Sequence, residues 1–99
     1  MHTKVDIQRL SIFFKVFSDE TRLKILDSLL DGEKCVCDIA EEIQVSQSAV
    51  SHQLKNLRAL NLVKTSKFGQ NVKYGVVDDH IKVILEVGIE HINERSKTI

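Results

Sequence analysis

Apolar residues recur along the chain at two spacings, and the switch between them divides it into elements. Ile7, Leu10, Phe14 and Phe17 fall three or four apart and define one face of a first helix. Ser18 or Asp19 can cap a second helix carrying Leu23, Leu26 and Leu30, which Asp31-Gly32 ends. A short third helix follows with Ile39, Ala40 and Ile43. Gln44-Val45-Ser46 then reads as a turn, with Ser46 capping a fourth helix that runs to about Leu60. From Leu62 the period drops to two. Leu62 to Lys67 and Asn71 to Val77 alternate around Phe68-Gly69-Gln70, with Val72, Tyr74 and Val76 on one face, which predicts a β-hairpin. A final helix is predicted from about Asp78 to Glu94.

Helix, tight turn, helix and basic hairpin, in that order, describe a winged helix-turn-helix: a mainly α fold with a β-hairpin wing, in the element order α-α-α-α-β-β-α. The 99 residues contain no proline, repeat or low-complexity linker, so residues 1–99 are expected to form a single DNA-binding and dimerisation domain. With four Phe, one Tyr and no Trp its core is small, and burial against a second copy would enlarge it. No stretch approaches the ~20 continuous apolar residues of a membrane span, and the N-terminus has no signal-like apolar region. A cytoplasmic location without membrane contact is the expectation.

Charge sharpens this picture. The formal net charge is zero, yet residues 45–77 contain no acid and hold Lys55, Arg58, Lys64, Lys67 and Lys73. Such an imbalance suits a local anionic partner, and its position on the fourth helix and hairpin points to double-stranded DNA. The residues opening the fourth helix, Ser46, Gln47, Ser48, Ser51 and His52, are short or amide-bearing donors and acceptors suited to phosphates and base edges. Gln47 can pair bidentately with adenine. Val50, Leu54 and Leu57 occupy the opposite face and are expected to hold this helix to the core. Lys64, Lys67 and Lys73, with Gln70 at the tip, would form the phosphate-gripping wing, alongside Lys55 of the helix.

The last helix carries metal-ligand chemistry. Asp78, His80, His91 and Glu94 all stand on it, and His80 and His91, eleven residues apart, face the same way. At ~1.5 Å per residue they are roughly 16 Å apart along the axis, too far for one ion. An antiparallel second copy would bring Asp78 and His80 of one protomer beside His91 and Glu94 of the other, giving two symmetric four-ligand sites in a homodimer. Each pair alone reads equally well as a surface hydrogen-bonding pair or a helix cap. Together, two imidazoles and two carboxylates suit zinc, with cobalt or cadmium as alternatives. Ile81, Ile84, Leu85, Gly88 and Ile92 would line the seam between the ligands. A site closed by four protein ligands, without a nucleophile and base pair, argues against an enzyme.

Cys35 and Cys37 sit too close together to staple a fold, and as helical neighbours they would diverge by ~200°, chelating jointly only in an unwound first turn. With Asp38 they form an accessory soft-metal site or, on the plainer reading, a pair of small buried thiols beside a carboxylate at a helix start.

Four ordered runs carry a resemblance over nearly the whole chain: Phe17 to Leu26, Cys35 to Ala40, Val45 to Leu54, and the final helix. They are similar to the ArsR/SmtB family of metal-sensing repressors. The resemblance implies a dimeric winged helix that binds a palindromic operator as apo-protein and releases it on binding metal. It implies that Asp78, His80, His91 and Glu94 match the C-terminal-helix site of the family's zinc and cobalt sensors. Cys35 and Cys37 match the thiolate part of a second site used for cadmium, lead or arsenite. This chain departs from that thiolate pattern, since its N-terminal arm offers only His2, and Ala40 stands where arsenite sensors place a third cysteine.

Overall fold

The computed structural model describes residues 2–98, with the side chains of residues 2–94. Its elements run α1 (Lys4–Val16), α2 (Glu20–Ser28), α3 (Val36–Ile43), α4 (Gln47–Ala59), β1 (Val63–Phe68), β2 (Asn71–Val76) and α5 (Asp79–Thr98). The order is the expected one, and each boundary has a local cause. Thr3 and Asp6 form a reciprocal capping box at the start of α1. Asp19, rather than Ser18, caps α2, its carboxylate accepting from the Arg22 backbone N–H at 2.9 Å. The α3 helix closes with Gln44 in the left-handed conformation (φ 58°), which turns the chain sharply into Ser46. Asn61, also left-handed (φ 62°), does the same between α4 and β1, and its short amide side chain tolerates that region better than most.

The hairpin pairs Val63 with Val76 through Phe68 with Asn71 in unbroken antiparallel register, leaving Gly69-Gln70 as a two-residue turn. Gly69 has φ 64°, the conformation required at the first position of a II′ turn. Phe68 is therefore a strand residue and not part of the turn. Lys34 adds a short third edge: its backbone N–H and C=O pair with Tyr74 at 3.0 and 2.8 Å, tying the α2–α3 connection to the wing.

The core is assembled chiefly from α2, α3 and α4. Ile25, Leu26, Ile39, Val50, Leu54 and Leu57 are each 0% exposed, and burial of such side chains stabilises by about 1.5–3 kcal/mol each. Leu62, Val63 and Ile81 extend it to the hairpin and α5. On α2, Leu29 is fully buried while Leu23 and Leu30 are only half-buried.

The two outer helices are held to the core by few residues. Ile7, Leu10 and Phe14 of α1 are largely exposed, and only Val16 is buried; Phe13 and Phe17 lean on the core as an edge-to-face pair with centroids 5.1 Å apart. On α5, Ile81 is buried and Leu85 packs against the same core, so these two anchor the helix to its own protomer. They are not part of a seam shared with ligands. The α5 helix also starts one residue later than predicted and continues beyond Glu94.

Candidate functional site

The fourth helix is held by one face and presents the other. Ser46 is its N-cap, accepting from the Ala49 backbone N–H at 3.2 Å, and its hydroxyl lies 3.3 Å from that of Ser48. Ser46, Gln47, Ser48, Ser51, His52 and Lys55 are all exposed, opposite the buried Val50, Leu54 and Leu57. Lys64, Lys67, Gln70 and Lys73 are exposed on the hairpin. The hairpin is fastened to the helix by the Leu62 backbone N–H, which donates to the Leu57 carbonyl at 2.9 Å. A polar helix start and an acid-free basic strand pair thus form one body, a winged helix-turn-helix.

On α5 the chain brings together half of the expected metal ligands. Asp78 lies just before the helix, and its Oδ1 accepts from the His80 backbone N–H at 2.9 Å and stands 3.4 Å from His80 Nδ1. His80 is exposed (side chain 87%), as are His91 and Glu94 further along the helix. Within one protomer the two pairs do not meet. Counting at ~100° per residue, His80, Ile84, Val87, His91 and Glu94 share one face, turned away from the one bearing Ile81 and Leu85.

Cys35, Cys37 and Asp38 form the tight ligand cluster among the described residues, their donor atoms all within 4.8 Å of one another. The thiols do not diverge. Cys35 is the N-cap of α3, with extended backbone (φ −81°, ψ 165°), so its sulfur turns back to lie 3.2 Å from that of Cys37. The hydrogen bond that the Cys37 thiol shares with Cys35, together with the charge of Cys35, holds the Cys37 thiol above its ordinary pKa; burial and Asp38 push the same way. A bound cation would reverse that penalty on ionisation.

The comparisons with known proteins bear on the whole arrangement. The family model for bacterial regulatory proteins of the arsR family matches residues 19–65. The chain is 43% identical over 82 residues to a cadmium resistance transcriptional regulatory protein CadC homolog of Staphylococcus aureus, covering 82% of this chain and 68% of that one. The chain belongs to the arsR family. It is also 40% identical over 87 residues to a transcriptional repressor SmtB homolog of Synechocystis sp., covering 88% of this chain and 66% of that protein's length. Among solved structures, the AntR antimony-specific transcriptional repressor superposes with a TM-score of 0.86 at 31% identity, covering 96% of this chain and 86% of that one. These relatives are transcriptional regulators rather than enzymes.

Beside the thiol cluster lies a polar knot that sequence patterning did not reveal. Lys34 Nζ is 3.0 Å from Asp31 and 3.0 Å from Glu42, and Glu42 accepts from the buried Ser28 hydroxyl. It joins residues from α2, the α2–α3 connection and α3, so nothing in local periodicity signals it. The Ser28 hydroxyl, then Lys34, holds the Glu42 carboxyl below its usual range, and Lys34 does the same for Asp31. Burial opposes the charge on Lys34, but its bonds to Glu42 and Asp31 win and raise its pKa. The carboxylate contributions are therefore present at neutral pH and are lost as pH falls through about 4 and below; the lysine's is lost only above its ordinary range. Lys34→Met is expected to flatten the acid limb of stability, read as urea midpoints between pH 5 and 3. A slope equal to wild type would remove the knot from the acid response.

Proposed function

We propose that this chain is a metal-responsive transcriptional repressor. As a homodimer it binds a palindromic operator through α4 and the wing, and it releases that operator when zinc, or cobalt or cadmium in its place, is held between the paired C-terminal helices. The observation that carries this reading is the composition of one face of α5. Its ligand residues His80, His91 and Glu94 are exposed, as is Asp78 just before the helix, and the exposed Val83 and Val87 are interleaved with them, while Ile81 and Leu85 on another face pack on the protomer's own core. A face that mixes apolar side chains with two half-sets of ligands is completed by an antiparallel copy of itself.

The donor set fits zinc: two imidazole nitrogens and two carboxylate oxygens make a tetrahedral N/O site. Bound there, the ion supplies a crosslink between protomers. The chain's own residues do the rest. The N-terminal residues of the two α4 helices read half-sites about 34 Å apart, and the wings hold the backbone on either side. The Asp78–His80 pair sits directly after the wing, following Val77, so a change in the pairing of the α5 helices bears on the spacing of the reading heads.

The converging thiols favour a second reading, in which Cys35, Cys37 and Asp38 sense a soft metal or an oxidant. One experiment tests both. A duplex selected from a random pool by the metal-free chain is followed by fluorescence anisotropy at fixed salt as zinc is added. Release by about two zinc ions per dimer, unchanged in a Cys35→Ser/Cys37→Ser variant, is the expected result. Release that disappears in the double variant moves the signal to α3, and a chain that selects no duplex sinks the repressor reading altogether.

A further inference from the structure

Most large apolar side chains left exposed stand on the two outer helices: Val5, Ile7, Leu10, Ile12 and Phe14 on α1, and Val83, Val87, Ile89 and Ile92 on α5. Leu60 lines a groove with Phe13 and Leu62 beside them. Phe68 stands apart from all of these. It is 59% exposed at the end of β1, one residue before the hairpin turn. Directly paired residues share a face of the hairpin, so Lys64, Ser66 and Phe68 lie with Gly75, Lys73 and Asn71 on the outer one. Lys73 Nζ stands 5.9 Å from the Phe68 ring centroid. The turn beside the ring is open, with no atom within 4 Å of where a Gly69 side chain would begin.

We propose that Phe68 is an apolar wedge, seated by the wing against the minor groove of operator DNA just outside each half-site. This inference rests on the DNA-binding reading above. Lysines alone would grip phosphate without needing an aromatic ring, and covering the exposed Phe68 ring removes apolar surface from water. An anionic partner fits best, because the hairpin strands carry no acid, Lys73 stands 5.9 Å from the ring and Lys64 shares its face; the one carboxylate placed on that face, Glu33, is bonded to Ser66, two residues before the ring. It must also offer an apolar slot for a single side chain. The sugar walls and base edges of a minor groove do both, and single apolar wedges at flexible steps are a known way for a protein to seat there. A lipid surface requires a broader apolar face than one ring. The hairpin's attachment to α4 fixes where the wedge falls relative to the base edges that α4 reads.

The test uses the full chain and its selected duplex. Phe68→Ala is expected to weaken binding roughly tenfold without changing the slope of affinity against salt, since a ring displaces no counterions. Lys73→Gln is expected to lower that slope by about one. A flank scan then places the contact. Replacing an A·T pair under the wing by G·C adds an amino group to the minor groove and is expected to weaken wild-type binding several-fold, and inosine·C, which lacks that group, restores it. Phe68→Ala is expected to be indifferent to both swaps, with Phe68→Leu intermediate, and all variants keep the wild-type thermal midpoint because the ring packs on no core residue. Wild-type affinity in Phe68→Ala at every flank would overturn the wedge while leaving the repressor reading intact. So would unchanged DNA binding with lost binding to phosphatidylserine vesicles. If the wild-type chain selects no duplex, both readings fall together.

Discussion

His80→Ala is expected to leave the metal-free chain's operator affinity within about twofold of wild type while abolishing most of the loss of affinity that zinc produces. Allosteric coupling of ~1–3 kcal/mol corresponds to a 5- to 150-fold change in affinity, and this is what the variant should forfeit. The separation of the two effects follows from where His80 sits. Its imidazole is 87% exposed and stands 3.4 Å from Asp78 Oδ1, so truncation removes little packing among the described residues. The bond that organises the start of α5 runs from the His80 backbone N–H to the same carboxylate, and alanine retains it. Asp78→Ala would be a poorer probe, because it removes ligand and cap together. The measurement is operator anisotropy with and without zinc, with cobalt absorption as an independent reading of how many imidazoles remain bound. Full zinc-driven release by His80→Ala would show that the sensing site lies elsewhere, and the Cys35, Cys37 and Asp38 cluster would be next to examine.

What the sequence disclosed, and what it concealed, follows the range of the forces involved. The cap at Ser46, the turn glycine at Gly69 and the alternation of Val72, Tyr74 and Val76 are local signals, and the elements they mark fall where expected. The face of α4 was equally legible, because Val50, Leu54 and Leu57 meet the protomer's own core. Periodicity says that a helix has an apolar face but not whose core it enters. Hence Ile7, Leu10 and Phe14 share a face of α1 yet stay exposed, while Ile81 and Leu85, expected in the seam between the ligands, anchor α5 to its own core instead. The thiol pair turned on one residue's conformation. Helical geometry sends residues two apart in opposite directions, and joint chelation is expected only where the first turn is unwound; Cys35 lies in the extended cap, one residue outside the helix, and the sulfurs converge. The Lys34 knot was invisible because it links α2, α3 and the wing through tertiary contacts alone.

Val87→Asp is expected to leave each protomer folded, convert the dimer to a monomer, and weaken operator binding by about a hundredfold or more. Val87 is 58% exposed within its own protomer, so the substitution removes little internal packing, and the fall in thermal midpoint should be the concentration-dependent part that dimerisation supplies. Seven residues from His80, it lies within roughly 20° of that ligand on the helix, in the middle of the face proposed to meet its copy. Two-fold symmetry places both introduced carboxylates at that interface, close to each other and to apolar neighbours such as Val83. Desolvating them is strongly unfavourable. Operator affinity falls steeply because one reading head then binds without the other, and avidity of this kind is worth roughly 10²–10⁴. The zinc site offers a separate reading of the same event. Asp78 and His80 sit at one end of α5 and His91 and Glu94 at the other, so a monomer retains only two half-sets and should lose tight zinc binding along with DNA. Sedimentation velocity and calorimetric zinc titration on the same sample therefore answer together. A Val87→Asp chain that still sediments as a dimer would move the interface off this face of α5, and a monomer that still binds zinc tightly would show that the metal site lies within one chain.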